Sequence, residues 1–217
     1  MSERASVEDA PFEAHFESLE RQREAARLGM WVFLASEILL FGALIALYAT
    51  SRAEHAAGFA EGVRHADVIA GSVNTVVLLV SSYLVARAVH ALRDDQPRLA
   101  AGLTGGTVLL GAVFLAIKSY EYVHHLSEGA GPAGRGALYL EHPVPGLASY
   151  FNLYWLTTGL HAFHVLVGMS VLAVLGIAVA RRRFGAAHAH RLEMGALYWH
   201  LVDVVWIFLW PLYYLMK

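Results

Sequence analysis

The chain of 217 residues contains no cysteine. That removes disulfides, thiolate metal sites and cysteine nucleophiles, and leaves the compartment open. It is also poor in charge: Asp, Glu, Lys and Arg make up 16% of it, against about 25% in soluble domains. A net charge of −2 offers no basic surface, so nucleic acid is not expected as a partner. No nucleophile elbow, phosphate loop or dinucleotide fingerprint stands in a suitable context. Internal repeats are not visible, which disfavours an inverted-repeat transporter. The first residues lack the basic-then-apolar order of a secretory signal and hold too many acids for a mitochondrial presequence. The first apolar run is therefore expected to do the targeting.

What the chain has instead is apolar length. It is 57% hydrophobic, with a mean hydropathy of +0.48. Five runs stand out, at about 28–50, 67–90, 99–122, 149–180 and 195–216. Each reaches the roughly 20 residues that cross a bilayer as a helix, and a helix satisfies its own backbone in lipid. The expected fold is all-α: a polytopic membrane protein with a bundle of five transmembrane helices. A polar, acidic segment at 1–27, assigned to the cytoplasm, precedes this domain at 28–217. The connection at 87–98 is a charged turn, 128–146 is Gly- and Pro-rich and irregular, and 181–193 is basic. Eleven of the sixteen Lys and Arg residues fall on the side that holds the N-terminus, counting Lys118 on the other. The positive-inside rule then places the N-terminus inside and the C-terminus outside.

Polar residues inside the runs carry the functional question, because an Asp or Lys at a helix centre costs about 2.5–3.5 kcal/mol on insertion scales. Glu37, in LASEILLF, shares a helical face with Met30, Phe33, Phe41 and Leu44. It reads as a hydrogen-bonded packing carboxyl, a proton-relay group or a lipid contact. His161 and His164 lie one turn apart on one face with Thr157. Two imidazoles on one helix are a weak haem signal, and an interhelical hydrogen-bond pair anchored by Thr157 or Asn152 is the plainer reading. Lys118, Glu121 and His125 have the spacing of a boundary ion pair. In the last run, Trp199, Asp203, Trp206 and Trp210 form a stripe beside His200, where Asp203 could accept from an indole or imidazole N–H. Tyr213 and Tyr214 read as an interfacial belt.

The ordered stretches GMWVFLASEILLFGALIALY (29–48), NTVVLLVSSYLV (74–85), SYEYVHH (119–125), LTTGLHAFHVLVG (156–168) and YWHLVDVVWIFLW (198–210) resemble the cytochrome c oxidase subunit III family of the haem-copper terminal oxidases. The likeness covers all five runs and is similar to the five-helix bacterial form. It implies a non-catalytic core subunit of a proton-pumping complex that reduces oxygen to water in aerobic respiration. That subunit sits in the bacterial inner membrane and packs on subunit I, with subunit II and small subunits as further partners. It holds no haem or copper of its own, these lying in partner subunits, and it binds phospholipids while supporting proton uptake, stability and oxygen access. By the same resemblance Glu37 matches a buried carboxylate. Glu121, His161, His164, His200 and Asp203 match helix-packing polar positions, and Arg181 and Arg182 are candidates for a lipid headgroup. No catalytic, cofactor-binding or metal-ligating residue is implied. Subunit III of a ubiquinol oxidase and a five-helix accessory protein of a nitric oxide reductase are near alternatives. A His-ligated membrane cytochrome and a small transporter using Glu37 and Asp203 are readings of a different class.

Overall fold

The computed structural model describes residues 19–216, and all the described regular structure is helical. Helices α1 (Leu19–Glu54), α3 (Val68–Arg93), α4 (Pro97–Ser127), α6 (Leu147–Ala180) and α7 (Ala189–Tyr214) are long and apolar enough to cross a membrane. Two short helices, α2 (Ala56–Arg64) and α5 (Ala137–Glu141), lie in the connections. Residues 1–18, most of the acidic segment, fall outside the described residues, as does Lys217. The remainder of that segment is helical, because α1 begins at Leu19, before the apolar run.

Local chemistry explains the boundaries. Asp67 caps α3, its carboxylate accepting from the Ile69 and Ala70 amides at 2.9 and 3.0 Å. Pro97 opens α4, where its missing N–H costs nothing. Three helices end in the same double turn. The amides of Gln96, Ala130 and Arg183 reach back to the carbonyls of Ala91, His125 and Ala178. The residue before each amide has positive φ: Asp95 at 55°, Gly129 at 75° and Arg182 at 55°.

Consecutive spans run antiparallel, with α3, α4, α6 and α7 packed as a four-helix bundle and α1 against α6 and α7. One end of the bundle gathers the C-terminal ends of α1, α4 and α7 with the N-terminal ends of α3 and α6. It is called the C-terminal end below. There Tyr48 donates to the Leu212 carbonyl at 2.6 Å and Tyr150 to the Tyr213 carbonyl at 2.8 Å. At the opposite, N-terminal end, Arg93 of α3 pairs with Glu193 of α7 at 2.7 Å. Of the most apolar stretch of each span, 56% is buried in α7 but 11% in α1, so α7 is the core helix and α1 the outrigger. Trp199, on α7, fits because Gly111 and Gly168 leave room; a Cβ at either would stand 2.8–2.9 Å from its ring. Gly159, by contrast, faces open space.

Candidate functional site

A charged network closes the C-terminal end of the bundle. Lys118 and Glu121, three residues apart on α4, face inward with side chains 2% and 3% exposed and stand 3.3 Å apart. Tyr154 of α6 and Tyr214 of α7 complete the group. Lys118 Nζ donates to both phenol oxygens at 2.9 Å. Each phenol in turn donates to Glu121 Oε1 at 2.6 Å, and Tyr214 also reaches Oε2 at 2.9 Å. The cation therefore reaches the carboxylate directly and through two hydroxyls, with donors and acceptors matched throughout. The rings of Tyr122, Tyr154, Trp206 and Tyr214 surround the ammonium at 4.7–5.6 Å. His125, one turn on, stands 3.7 Å from Glu121. The boundary ion pair that spacing suggests does form, but it is buried inside the bundle and joined to two tyrosines of other helices. Tyr213 and Tyr214 do not form a belt. Both are wholly buried, with Tyr213 donating to Thr157 Oγ1 at 3.1 Å. Lys118 also leaves the count of loop charges.

Glu37 joins α1 to α6. Its Oε2 lies 2.9 Å from His164 Nε2, and His164 Nδ1 lies 2.8 Å from the Leu160 carbonyl. A carbonyl only accepts, so Nδ1 carries a hydrogen. The 2.9 Å contact then requires one more proton, shared between Nε2 and the carboxyl. The pair is neutral overall whichever atom holds it. Phe41 packs its edge against the His164 ring at 5.2 Å. Neither Thr157 nor Asn152 anchors the histidines: Thr157 takes the Tyr213 hydroxyl, and Asn152 accepts from the Ala133 amide at 2.7 Å.

His161 points elsewhere. Its ring stacks on Trp206 at 5.2 Å, and both ring nitrogens are buried without a hydrogen-bond partner. Asp203 is 3% exposed; its carboxyl oxygens make no close hydrogen bond, and the Ser82 hydroxyl of α3 is the neighbour within reach. The indoles of its stripe donate to α3 instead, Trp199 to Ser81 at 2.9 Å and Trp206 to Thr75 at 3.1 Å. His200 meets Ser82 at 2.5 Å. Asn74 of α3 is likewise buried with an unpartnered amide, which the sequence reading did not single out.

At the N-terminal end α1 stands away from α6 and α7 and leaves a mostly apolar groove of about 720 Å³. Met30, Phe33, Val171, Leu175 and Tyr198 line it, with Arg191 among the polar contributors. Arg181 is exposed, and Arg182 lies beside the α3–α4 turn with Asp95 and Arg98, away from that groove.

Sequence comparisons agree with this geometry. The family model described as Cytochrome c oxidase subunit III matches residues 6–130 and 136–217. A protein named "Probable quinol oxidase subunit 3" from Staphylococcus haemolyticus is 32% identical over 191 residues, covering 87% of this chain and 88% of the relative. Proteins of the same name from Staphylococcus epidermidis and Staphylococcus aureus are each 30% identical, over 202 and 201 residues, covering 92% of both chains. The chain belongs to the subunit III family of haem-copper oxidases, and it is a multi-pass bacterial membrane protein.

Proposed function

We propose that this subunit III serves a haem-copper oxidase whose electron donor is a quinol rather than cytochrome c. The observation that carries the reading is the shared name of its relatives, quinol oxidase subunit 3, at 30–32% identity over most of both chains. It favours the ubiquinol alternative over the cytochrome c oxidase that the sequence resemblance puts first. In this reading the chain is a non-catalytic subunit. It packs on subunit I, beside subunit II, and the haem and copper lie in those partners. The site chemistry supports that division. His164 is committed to Glu37 and Leu160, and one face of His161 is covered by Trp206, so the pair is not arranged as facing haem ligands. The N-terminus lies inside and the C-terminus outside.

The working parts follow from the geometry. The network at Lys118 and Glu121 clamps α4, α6 and α7, while the Glu37–His164 contact holds α1 over an apolar groove. A phospholipid chain fits such a groove, with Arg191 placed for its headgroup in preference to Arg181 or Arg182. In the same reading Glu37, bonded to His164 within the span, is the carboxyl of this chain that supports proton uptake by subunit I. Purification of the C-terminally tagged native complex tests the whole reading. Haem should arrive with a large copurifying subunit, and oxygen uptake should be driven by a quinol and not by reduced cytochrome c. Uptake driven by cytochrome c would overturn the donor assignment, and a chain that purifies alone would overturn the role as a subunit.

A further inference from the structure

Outside the spans, at the C-terminal end, three potential metal ligands converge. Glu61 and His65, one turn apart at the end of α2, meet His142, the residue that follows α5 in the long loop. One donor atom from each lies within 4.8 Å of the others. Glu61 Oε1 stands 3.5 Å from His142 Nδ1 and 3.8 Å from His65 Nε2. Both gaps are long for a hydrogen bond. They suit a shared ion better. Donors bound at about 2.0–2.2 Å around a tetrahedral zinc lie roughly 3.3–3.6 Å apart. The two edges from Glu61 reach that geometry with shifts of a few tenths of an ångström, and the two imidazoles offer donors within 4.8 Å of each other.

The surroundings are built to hold these ligands. Glu61 uses its other oxygen, Oε2, for a 3.0 Å bond from Arg64, which fixes the carboxylate and leaves Oε1 toward the imidazoles. The two rings meet edge to face at 5.6 Å. Their side chains and that of Glu61 are 20%, 42% and 18% exposed for His65, His142 and Glu61, partly shielded yet open to an entering ion. α2 is seated hard on the start of α6: Gly58 abuts the backbone at Pro145 and Gly146, and Gly62 abuts the Tyr150 ring. His142 is held by its amide bond to the Leu138 carbonyl at 2.9 Å.

We propose that Glu61, His65 and His142 form a binding site for one divalent transition-metal ion of the zinc class, stapling α2 to the loop that joins α4 and α6. Two imidazoles and one carboxylate are a borderline-soft set that suits zinc. Three protein ligands leave a fourth position for water. Arg64 remains as the outer partner that orients the carboxylate. The resemblance implies no metal-ligating residue in this chain, and this site, apart from the histidines of the spans, departs from that expectation. It stands independently of the electron donor.

The test uses the tagged protein as it purifies. The complex is stripped with chelator, titrated with Zn²⁺, desalted and assayed for metal by mass spectrometry, alongside His142→Ala, His65→Ala and Glu61→Gln. Losing even an outer partner of a metal site costs about 10–100-fold in affinity, so each variant should bind at least ~10-fold more weakly. The wild type should retain one more zinc per complex than the His65→Ala/His142→Ala double variant. Zinc should also slow proteolysis of the 128–146 loop in the wild type alone. Equal zinc retention by the wild type and the double variant would overturn the proposal, as would equal proteolysis with and without zinc. An unchanged haem spectrum and elution volume show that the variants are folded.

Discussion

The two polar regions of the bundle are built on opposite terms. At the C-terminal end, Lys118 and Glu121 are buried among the leucines and aromatics of the core, yet both are bonded to Tyr154 and Tyr214. Toward the middle, Asn74, His161 and Asp203 are equally buried, and none makes a close side-chain hydrogen bond among the described residues, Asp203 having only the Ser82 hydroxyl that also meets His200. The first region is complete in itself and holds three helices together. The second carries unmet polar groups, each with a desolvation cost of about 1–3 kcal/mol. Burial alone therefore does not say whether a polar residue stabilises this fold; the partner count does.

The largest effect should come from breaking the complete region. Lys118→Met leaves Glu121 buried without its cation, and stripping one member of a buried pair costs about 3–5 kcal/mol. A large fall in the melting temperature of the purified complex is expected, with much of it recovered in Lys118→Met/Glu121→Leu. Failure of the double variant to recover would show that the tyrosine hydroxyls cannot satisfy one another without the charges. Next comes the joint between α1 and α6. Glu37→Leu removes a bond worth about 1.5–3 kcal/mol when one partner is charged. Hydrogen exchange should then rise in α1, whereas Glu37→Gln, which can still donate to His164 Nε2, should stay near the wild type.

The comparison is sharpest where one substitution is made in both regions. Glu121→Leu should destabilise strongly. Asp203→Leu removes a buried carboxyl with no close hydrogen bond and should raise stability by about 1–2 kcal/mol. A matching fall at both positions would mean that Asp203 is paired in the assembled complex. The smallest effect is local: Arg182→Gly relieves a left-handed residue at the end of α6 and should gain about 1 kcal/mol, seen as a slightly higher melting temperature.

Much of this architecture was legible in the sequence. The five spans follow from apolar length, since lipid leaves a spanning segment little choice but a helix. That α1 is already helical at Leu19, nine residues before its apolar run, was not legible, because a polar stretch of helix leaves no hydropathy signal. α2 was missed for a similar reason: at nine residues it is too short to stand out from the connection around it. The network at Lys118 was half legible. Three- and four-residue spacing on α4 gave Lys118, Glu121 and His125, but their burial depends on Tyr154 and Tyr214, which lie on other helices. Tyr214 sits two residues from the end of the described chain and by position looks interfacial. Asp203 failed the other way. Its tryptophan neighbours were evident, but which hydroxyls of α3 would claim their N–H groups is set by register between helices.

In the proposed function this chain supports an oxidase without taking part in its chemistry. Removing it from the purified complex and restoring it, while recording haem content and quinol-driven oxygen uptake over many turnovers, tests that claim most directly. The account expects unchanged haem and an undiminished initial rate, followed by a faster decline that readdition of the chain prevents. Loss of haem on removal, or an initial rate that falls to nothing, would contradict it.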